Sequence, residues 1–247
     1  MFNFMTLENI EKELEKHADS EKAKISQGFF KTNLGQYGEG DVFLGISVPQ
    51  QRQIAREFKD LDMNKLQELL NSDIHEKRLI ALLILIEQFK KASKEKNPSN
   101  EKQIIDFYLD NAKKNNINNW DLVDLSAHKI IGGYLLDKNN KEKDILYNLA
   151  KSKNLWEKRI AIVSCFAFIR TNDFEDAIKI SEILLKDSHD LIHKSVGWML
   201  REVGKKDEKV LEDFLKRHYK QMSRTTLRYA IERFEEKKRL KYLRGEI

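Results

Sequence analysis

The sequence predicts an all-α protein in which helical pairs stack into an α-α superhelix, a solenoid of HEAT-like repeats. Its 247 residues include only ten glycines and two prolines, and charged residues make up 34%, a balance typical of helical proteins. No stretch shows the sustained alternation of apolar and polar residues that marks a β-strand. Similar segments also recur along the chain, which is the signature of a repeat protein.

The helices are predicted in chain order from apolar periodicity and capping residues. Two short amphipathic helices come first, the first of them opened by Thr6 with an acid close behind it. After a long irregular segment, Pro49 marks the first turn of the next helix. The predicted helices span residues 6–17, 20–30, 50–58, 64–70, 74–89, 101–114, 120–137, 143–150, 156–170, 174–186, 191–205, 208–216 and 223–238, with a charged linker at 90–100.

We expect a single domain over residues 1–247, with N-terminal helices in 1–60 and helical repeats in 61–247. A glycine-rich loop at 31–48 is its one long irregular segment, since half of all the glycines lie between Gly28 and Gly45. The loop lacks the Gly-Lys-Ser/Thr of a phosphate-binding loop. It could contact a ligand or simply pack, and its acids Glu39 and Asp41 would be unfavourable against phosphates.

The repeat is visible in short segments that begin a helix. Ile74-His-Glu-Lys-Arg78 resembles Leu155-Trp-Glu-Lys-Arg159, and Lys194 holds the same place one unit later. Equivalent positions are Arg78, Asp124, Arg159, Lys194 and Arg228, at spacings of 46, 35, 35 and 34 residues. These spacings match HEAT-type helical pairs, whose second helices line a concave surface. We therefore expect a concave basic groove.

Charge and composition restrict the classes of partner. The net charge is +5, and residues 201–247 alone hold 15 Lys and Arg against nine Asp and Glu, so the positive charge is concentrated late in the chain. Such a surface suits a polyanion, or it is a solvated helix face. With no signal sequence and no apolar run of 18 residues, we expect a cytoplasmic protein that has no membrane contact. The lone Cys165 is expected to be a buried, reduced thiol.

Cations and aromatics recur at helical spacing in the last third of the chain. Lys194, Trp198, Arg201 and Lys205 follow one another at steps of four, three and four residues, so they form a basic stripe on one helix face. A further basic pair, Arg224 and Arg228, follows the capping residue Ser223. Such residues suit a phosphate backbone and stacked bases. Trp198 could equally be core, and Arg159 could pair with a nearby carboxylate.

Trp120 and Asp124 stand four residues apart and share one edge of a predicted helix. An acid beside an indole suits a cationic ligand. The alternative is structural, with Asp124 paired to a neighbouring helix and Trp120 in the core.

Three motifs carry a family resemblance: Trp120-Asp-Leu-Val-Asp124, Trp156-Glu-Lys-Arg159-Ile-Ala and Lys194-Ser-Val-Gly197-Trp198-Met-Leu-Arg201-Glu. They resemble the motifs of the HEAT-like-repeat DNA alkylation repair glycosylases, the AlkD-like family. The resemblance runs from the first helices through Ser223-Arg224. It implies an α-solenoid that grips duplex DNA and hydrolyses the N-glycosidic bond of cationic N3- or N7-alkylated purines.

The resemblance also implies residue roles. Asp124 matches the catalytic aspartate, Trp120 and Trp198 match the tryptophans that contact the damaged nucleotide, and Arg159 matches the arginine that holds the backbone beside the lesion. We expect Lys194, Arg201, Arg224 and Arg228 to bind DNA.

The chemistry of the substrate agrees with this site. A cationic purine is already a good leaving group, so one ionised carboxylate can stabilise the sugar cation and align water. No cofactor or metal is expected, because the six histidines lack ligand-like spacing. We expect a monomer that is nucleoid-associated when bound to alkylated duplex DNA. The alternatives are a non-catalytic HEAT-repeat module that binds nucleic acid or protein, and a protein scaffold with no DNA role.

Overall fold

The computed structural model describes residues 6–246, and α-helices dominate this part of the chain. The predicted all-α class is confirmed. Between residues 6 and 246 no β-strand forms, and a single parallel bridge joins Val42 to Ile74. A 3₁₀ helix at Tyr219–Gln221 precedes α14. The α-helices are α1 (Leu7–His17), α2 (Ser20–Phe29), α3 (Val48–Glu57), α4 (Met63–Leu70), α5 (His75–Lys94), α6 (Pro98–Lys113), α7 (Trp120–Leu135), α8 (Asn140–Ala150), α9 (Leu155–Ser164), α10 (Phe166–Arg170), α11 (Glu175–Leu184), α12 (Asp190–Lys206), α13 (Glu208–His218), α14 (Arg224–Ala230) and α15 (Glu236–Arg244).

The helix predicted over 156–170 is interrupted at Cys165, between α9 and α10. The hydroxyl of Ser164 donates to the carbonyl of Ile160 at 2.7 Å, and the Cys165 thiol donates to the carbonyl of Ala161 at 3.5 Å. Side chains that bond to carbonyls four residues back disturb the helical ladder. Cys165 is buried, as predicted.

The structure also differs from the prediction after α14 and around the predicted linker. The helix predicted over 223–238 is two helices, because the carboxylate of Glu235 accepts the backbone N–H groups of Lys237 and Lys238 and so caps a new helix, α15. The predicted linker at 90–100 is wrong at both ends, since α5 continues to Lys94 and α6 already begins at Pro98. Ala92 is buried, so the apolar face of α5 extends beyond its predicted end.

The chain divides into two compact units, residues 1–126 and 127–247, and the boundary falls within α7. A single domain over 1–247 stays a prediction, and its residues 1–5 and 247 lie outside the described part. In the first unit, α5 packs against α3, α4 and α6. Every residue from Leu79 to Ile86 is buried, as expected of a helix that is apolar on all sides.

In the second unit, α12 is the central helix and packs against α9, α11, α13 and α14. Gly197 permits the contact with α14, since a Cβ there would lie 2.7 Å from the carbonyl oxygen of Thr226. None of the helices within residues 6–246 combines the length and apolar character needed to cross a membrane.

The residues aligned as equivalent in the repeat occupy corresponding helices. Arg78, Asp124, Arg159, Lys194 and Arg228 fall in α5, α7, α9, α12 and α14. Each of these helices is separated from the next by one or two others, as a repeat of helical pairs requires.

Candidate active site

The candidate site in the first unit is built on the first two turns of α7. The helix begins at Trp120, whose backbone N–H donates to the side-chain oxygen of Asn119 at 2.8 Å. Trp120 and Asp124 follow one another along this helix by one turn, and both side chains are half-buried. The structure therefore places the predicted indole and carboxylate on adjacent turns of one rigid element.

Aromatic rings hold the indole of Trp120 in place. Phe30 stacks on it at 5.2 Å between ring centroids with planes 14° apart, and Phe29 meets it edge-on at 5.8 Å. Phe30 also stacks on Phe43, which in turn stacks on His75 at 4.6 Å. Rings at these separations attract one another. The row of rings links the end of α2, the glycine-rich loop, α5 and α7.

His75, the last ring of this row, also belongs to a buried charge network. The Nδ1 atom of His75 is 3.1 Å from Asp41 and its Nε2 atom is 2.8 Å from Asp121. Arg78 forms an ion pair with Asp41 and a hydrogen bond with Asn118. Because an ionised carboxylate only accepts hydrogen bonds, both ring nitrogens must donate, which requires the imidazolium. Two cations then balance two anions.

The pKa values in the network follow from this geometry. Burial would lower the pKa of His75, but the charge of Asp121 and its hydrogen bond, with that of Asp41, raise it to about 9. Burial would likewise raise the pKa of Asp41, yet the hydrogen bond from His75 and the charge of Arg78 lower it. Both residues are therefore charged at neutral pH.

The glycine-rich loop is packed and hydrogen-bonded. The carboxylate of Glu76 accepts the backbone N–H groups of Leu44, Gly45 and Ile46, at 2.8 to 3.3 Å. Gly45 has φ +80°, and a Cβ there would lie 2.1 Å from the carbonyl oxygen of Asp19, so only glycine fits. The loop thus contacts α2 and α5, and a ligand contact stays a prediction.

The two acids of this loop are engaged within the protein. Asp41 is buried in the charge network, and Glu39 accepts the backbone N–H of Gly35 at 2.7 Å. The repulsion that the sequence predicts between these acids and a phosphate backbone is therefore removed for Asp41, whose charge is balanced locally.

Tyr108 lies close to Asp124 in the interior of the first unit. Its side chain is fully buried, and its hydroxyl is 2.8 Å from that of Ser126. Burial raises the pKa of Tyr108, and the charge of Asp124 raises it further. The phenol of Tyr108 therefore stays neutral at neutral pH.

In the second unit, Arg159 is buried, with 5% of its surface exposed. Its Nη1 atom donates to the carbonyl oxygen of Leu191 at 2.5 Å, which ties α9 to α12. This contact gives Arg159 a structural role between the two helices. Its predicted role at the DNA backbone stays a prediction.

The basic stripe on α12 is present, and its cations are paired with acids. Lys194 lies 2.7 Å from Asp190 and Lys205 lies 2.6 Å from Glu202, while Arg201 contacts both Glu202 and Glu232. The ring of Trp198 is half-buried, 5.9 Å from that of Phe166. Arg224 and Arg228 are exposed, and Arg224 donates to the carbonyl of Leu243 at 3.0 Å. The predicted DNA contacts of these side chains stay predictions.

His75, Arg78 and Asp121 were not predicted as a group. His75 and Arg78 lie in the first turn of α5 and Asp121 lies in that of α7, and the group forms only when the loop and α7 meet α5. An acid in the first turn of α7 and a histidine at the start of α5 were the one available signal. Within residues 6–246, no group of three or more His, Cys, Asp and Glu side chains is placed to hold a metal ion.

Comparisons with known proteins decide the family. The model of the family described as "DNA alkylation repair enzyme" matches residues 10–234. The chain belongs to this family. The match includes every predicted site residue and ends shortly before α15, and it supports a role in DNA alkylation repair. A search of curated proteins finds no match.

Solved structures show the same fold as this member of the family. A predicted DNA alkylation repair enzyme from Enterococcus faecalis is 16% identical with a TM-score of 0.62, covering 89% of this chain and 98% of its own. AlkD2 from Streptococcus mutans is 24% identical with a TM-score of 0.53, and the match covers 77% of this chain and 91% of its own. The smu.31 protein of Streptococcus mutans UA159 is 24% identical with a TM-score of 0.52, and the match covers 76% of this chain and 93% of its own. These likenesses confirm the predicted all-α fold of helical repeats.

Proposed function

We propose that this chain is a DNA glycosylase that hydrolyses the N-glycosidic bond of cationic N3- or N7-alkylated purines in duplex DNA. One observation carries the proposal. The carboxylate of Asp124 and the indole of Trp120 lie on adjacent turns of α7, both half-buried, at a helix start fixed by a charge network. Membership of the DNA alkylation repair enzyme family supports the class of substrate.

The reaction needs few groups. The bond between the sugar C1′ and the purine nitrogen breaks, and its electron pair neutralises the cationic base, which leaves without protonation. The ionised Asp124 stabilises the positive charge that develops on the sugar and accepts a proton from the water that adds to C1′. The products are the free base and an abasic site.

The indole of Trp120 supplies selectivity. A cation over an indole face gains about 0.5 to 2 kcal/mol, which a neutral base does not. Phe30 stacks on one face of the ring and so fixes the orientation of the indole. Trp198 is proposed as the second tryptophan that contacts the damaged nucleotide, on account of its position in the matching motif.

The second unit is proposed to bind the DNA backbone through Lys194, Arg201, Arg224 and Arg228. On binding, phosphates would then replace the acidic partners of these cations, such as Asp190 beside Lys194. We propose that the protein acts as a monomer in the cytoplasm, where it meets chromosomal DNA.

Substitution of Asp124 tests the proposal. Asp124→Asn keeps the size of the side chain and removes its charge, so the release of 7-methylguanine from methylated plasmid should fall by about 10²-fold or more. Affinity for the same DNA should stay equal or rise slightly, because a charge that repels phosphate is lost. Freed bases are measured by chromatography.

The exposed acid Asp137, just beyond α7, offers a matched control, and Asp137→Asn should retain wild-type release. A wild-type protein that binds the DNA and releases no base would contradict the proposal. The non-catalytic HEAT-repeat module would then be the better interpretation.

A further inference from the structure

The buried charge network in the first unit contacts residues on both sides of Trp120, the residue that begins α7. Asn119 donates to Asp41 at 3.0 Å, Asn118 accepts from Arg78, and Asp121 accepts from His75 at 2.8 Å. These three residues flank Trp120 in sequence. The side chains that precede and follow the indole are thus held by groups outside α7.

His75 is the central member of this network. Its side chain is 3% exposed, and it bridges Asp41 of the loop to Asp121 of α7 through its two ring nitrogens. Its ring also stacks on Phe43 and lies 5.0 Å from Phe30, the ring that covers Trp120. It therefore reaches the start of α7 by two routes, one polar and one aromatic.

We propose that His75, as an imidazolium bridging Asp41 and Asp121, is a positioning residue that sets the first turn of α7, and with it Trp120 and Asp124, in the arrangement that base release needs. The proposal deepens the proposed function and rests on it for its catalytic consequence. His75 touches neither the substrate nor the reacting atoms, so its effect passes through α7.

The neutral ring cannot perform this role. Neutral imidazole has one N–H, so it can donate to Asp41 or to Asp121 but not to both. The carboxylate that loses its donor would be a buried acceptor without that bond, which is costly. The charged groups facing the ring are Asp41 from the loop, Asp121 from α7 and Arg78 from α5 itself. Loss of the proton therefore leaves two anions against one cation.

The first experiment follows His75 and Trp120 directly by NMR, whether or not the protein is active. In ¹⁵N-labelled protein, the imidazole signal lost in His75→Gln is assigned to His75, and its titration midpoint should lie near 9. The indole N–H signal of Trp120 should shift with the same midpoint. A midpoint near that of an ordinary histidine, or an indole signal that does not move with it, would overturn the proposal.

The second experiment measures the single-turnover rate of 7-methylguanine release against pH, after subtraction of the rate without enzyme. Wild-type release should fall about tenfold for each pH unit above the midpoint. Asp121→Asn keeps an oxygen acceptor and removes the charge, so it should move this alkaline limb downward by about 1 to 3 pH units. A purely structural role would lower the rate at all pH values alike and leave the limb in place.

The histidine of α13 offers a matched control. His218 lies 3.0 Å from Glu182 in the second unit, and His218→Gln should leave both the limb and the Trp120 signal unchanged. The two proposals fail in different ways. No base release by wild type at any pH contradicts the proposed function, while the NMR titration still decides the coupling. Base release with no alkaline limb, beside a His75 that does titrate, contradicts the positioning role alone.

Discussion

The charge network predicts that stability falls as pH rises from neutrality. The pKa of His75 is raised from 6.5 in the unfolded chain to about 9 in the folded protein. The folded state therefore binds this proton more tightly. The stabilisation that protonated His75 gives to the folded state is complete below pH 6.5 and is lost as pH rises through 9.

The size of the effect follows from the two pKa values. Each pKa unit corresponds to 1.36 kcal/mol, so the free energy of unfolding should fall by about 2 to 3 kcal/mol between pH 7 and pH 9.5 on account of His75. The side chain is 3% exposed, so solvent screening does not reduce this value greatly. Urea unfolding, followed by far-ultraviolet circular dichroism, measures it.

A second group loses stabilisation in the same range. Burial raises the pKa of the Cys165 thiol above its ordinary value of 9.0, so the unfolded thiol ionises first and favours unfolding as pH rises through that value. Comparison with His75→Gln separates the two, because the variant keeps Cys165. The destabilisation caused by His75→Gln should be larger at pH 7 than at pH 9.5 by about 2 to 3 kcal/mol. Curves for the two proteins that run parallel over this range would refute the reasoning.

Two other predictions concern the loop and the basic surface. Gly45→Ala should lower the free energy of unfolding by more than about 2 kcal/mol in a urea titration, because the added Cβ would overlap the Asp19 carbonyl. Gly40 also has a positive φ, +86°, but open space around it, so Gly40→Ala should cost only about 1 kcal/mol. Equal losses in the two variants would contradict the clash at Gly45. Arg228→Ala should lower the slope of log affinity for duplex DNA against log salt by about one. Lys102→Ala in α6 removes the same charge from an exposed site in the other unit, and an equal loss of slope there would argue against a specific basic surface.

Much of the fold was accessible from the sequence because apolar periodicity is a local signal. The start of α3 at Val48 with Pro49 in its first turn and the start of α7 at Trp120 were predicted to within two residues. The break before α15 was not, because residues 231–235 contain no glycine or proline and Glu235 is an uncommon capping residue. The helix interruption at Cys165 depends on side-chain bonds that composition does not show.

The candidate site was predictable only in part. Trp120 and Asp124 were predicted to lie together because residues four apart in the sequence lie one turn apart on a helix, here α7. The network could not be found in this way, because Asp41 and His75 are separated by 34 residues and His75 and Asp121 by 46. Their contact depends on how the loop folds onto α5. Local patterns carry no information of that kind.

The charge balance of the network has a consequence for how this sequence can vary. Removing any one of Asp41, His75, Arg78 or Asp121 leaves a buried ion uncompensated, whereas apolar replacement of a whole ion pair is often tolerated. Substitutions at these four positions should therefore be strongly epistatic, and a double change within the group should cost less than its two single changes together. In related proteins, a compatible set of residues at these positions is expected to be gained or lost jointly.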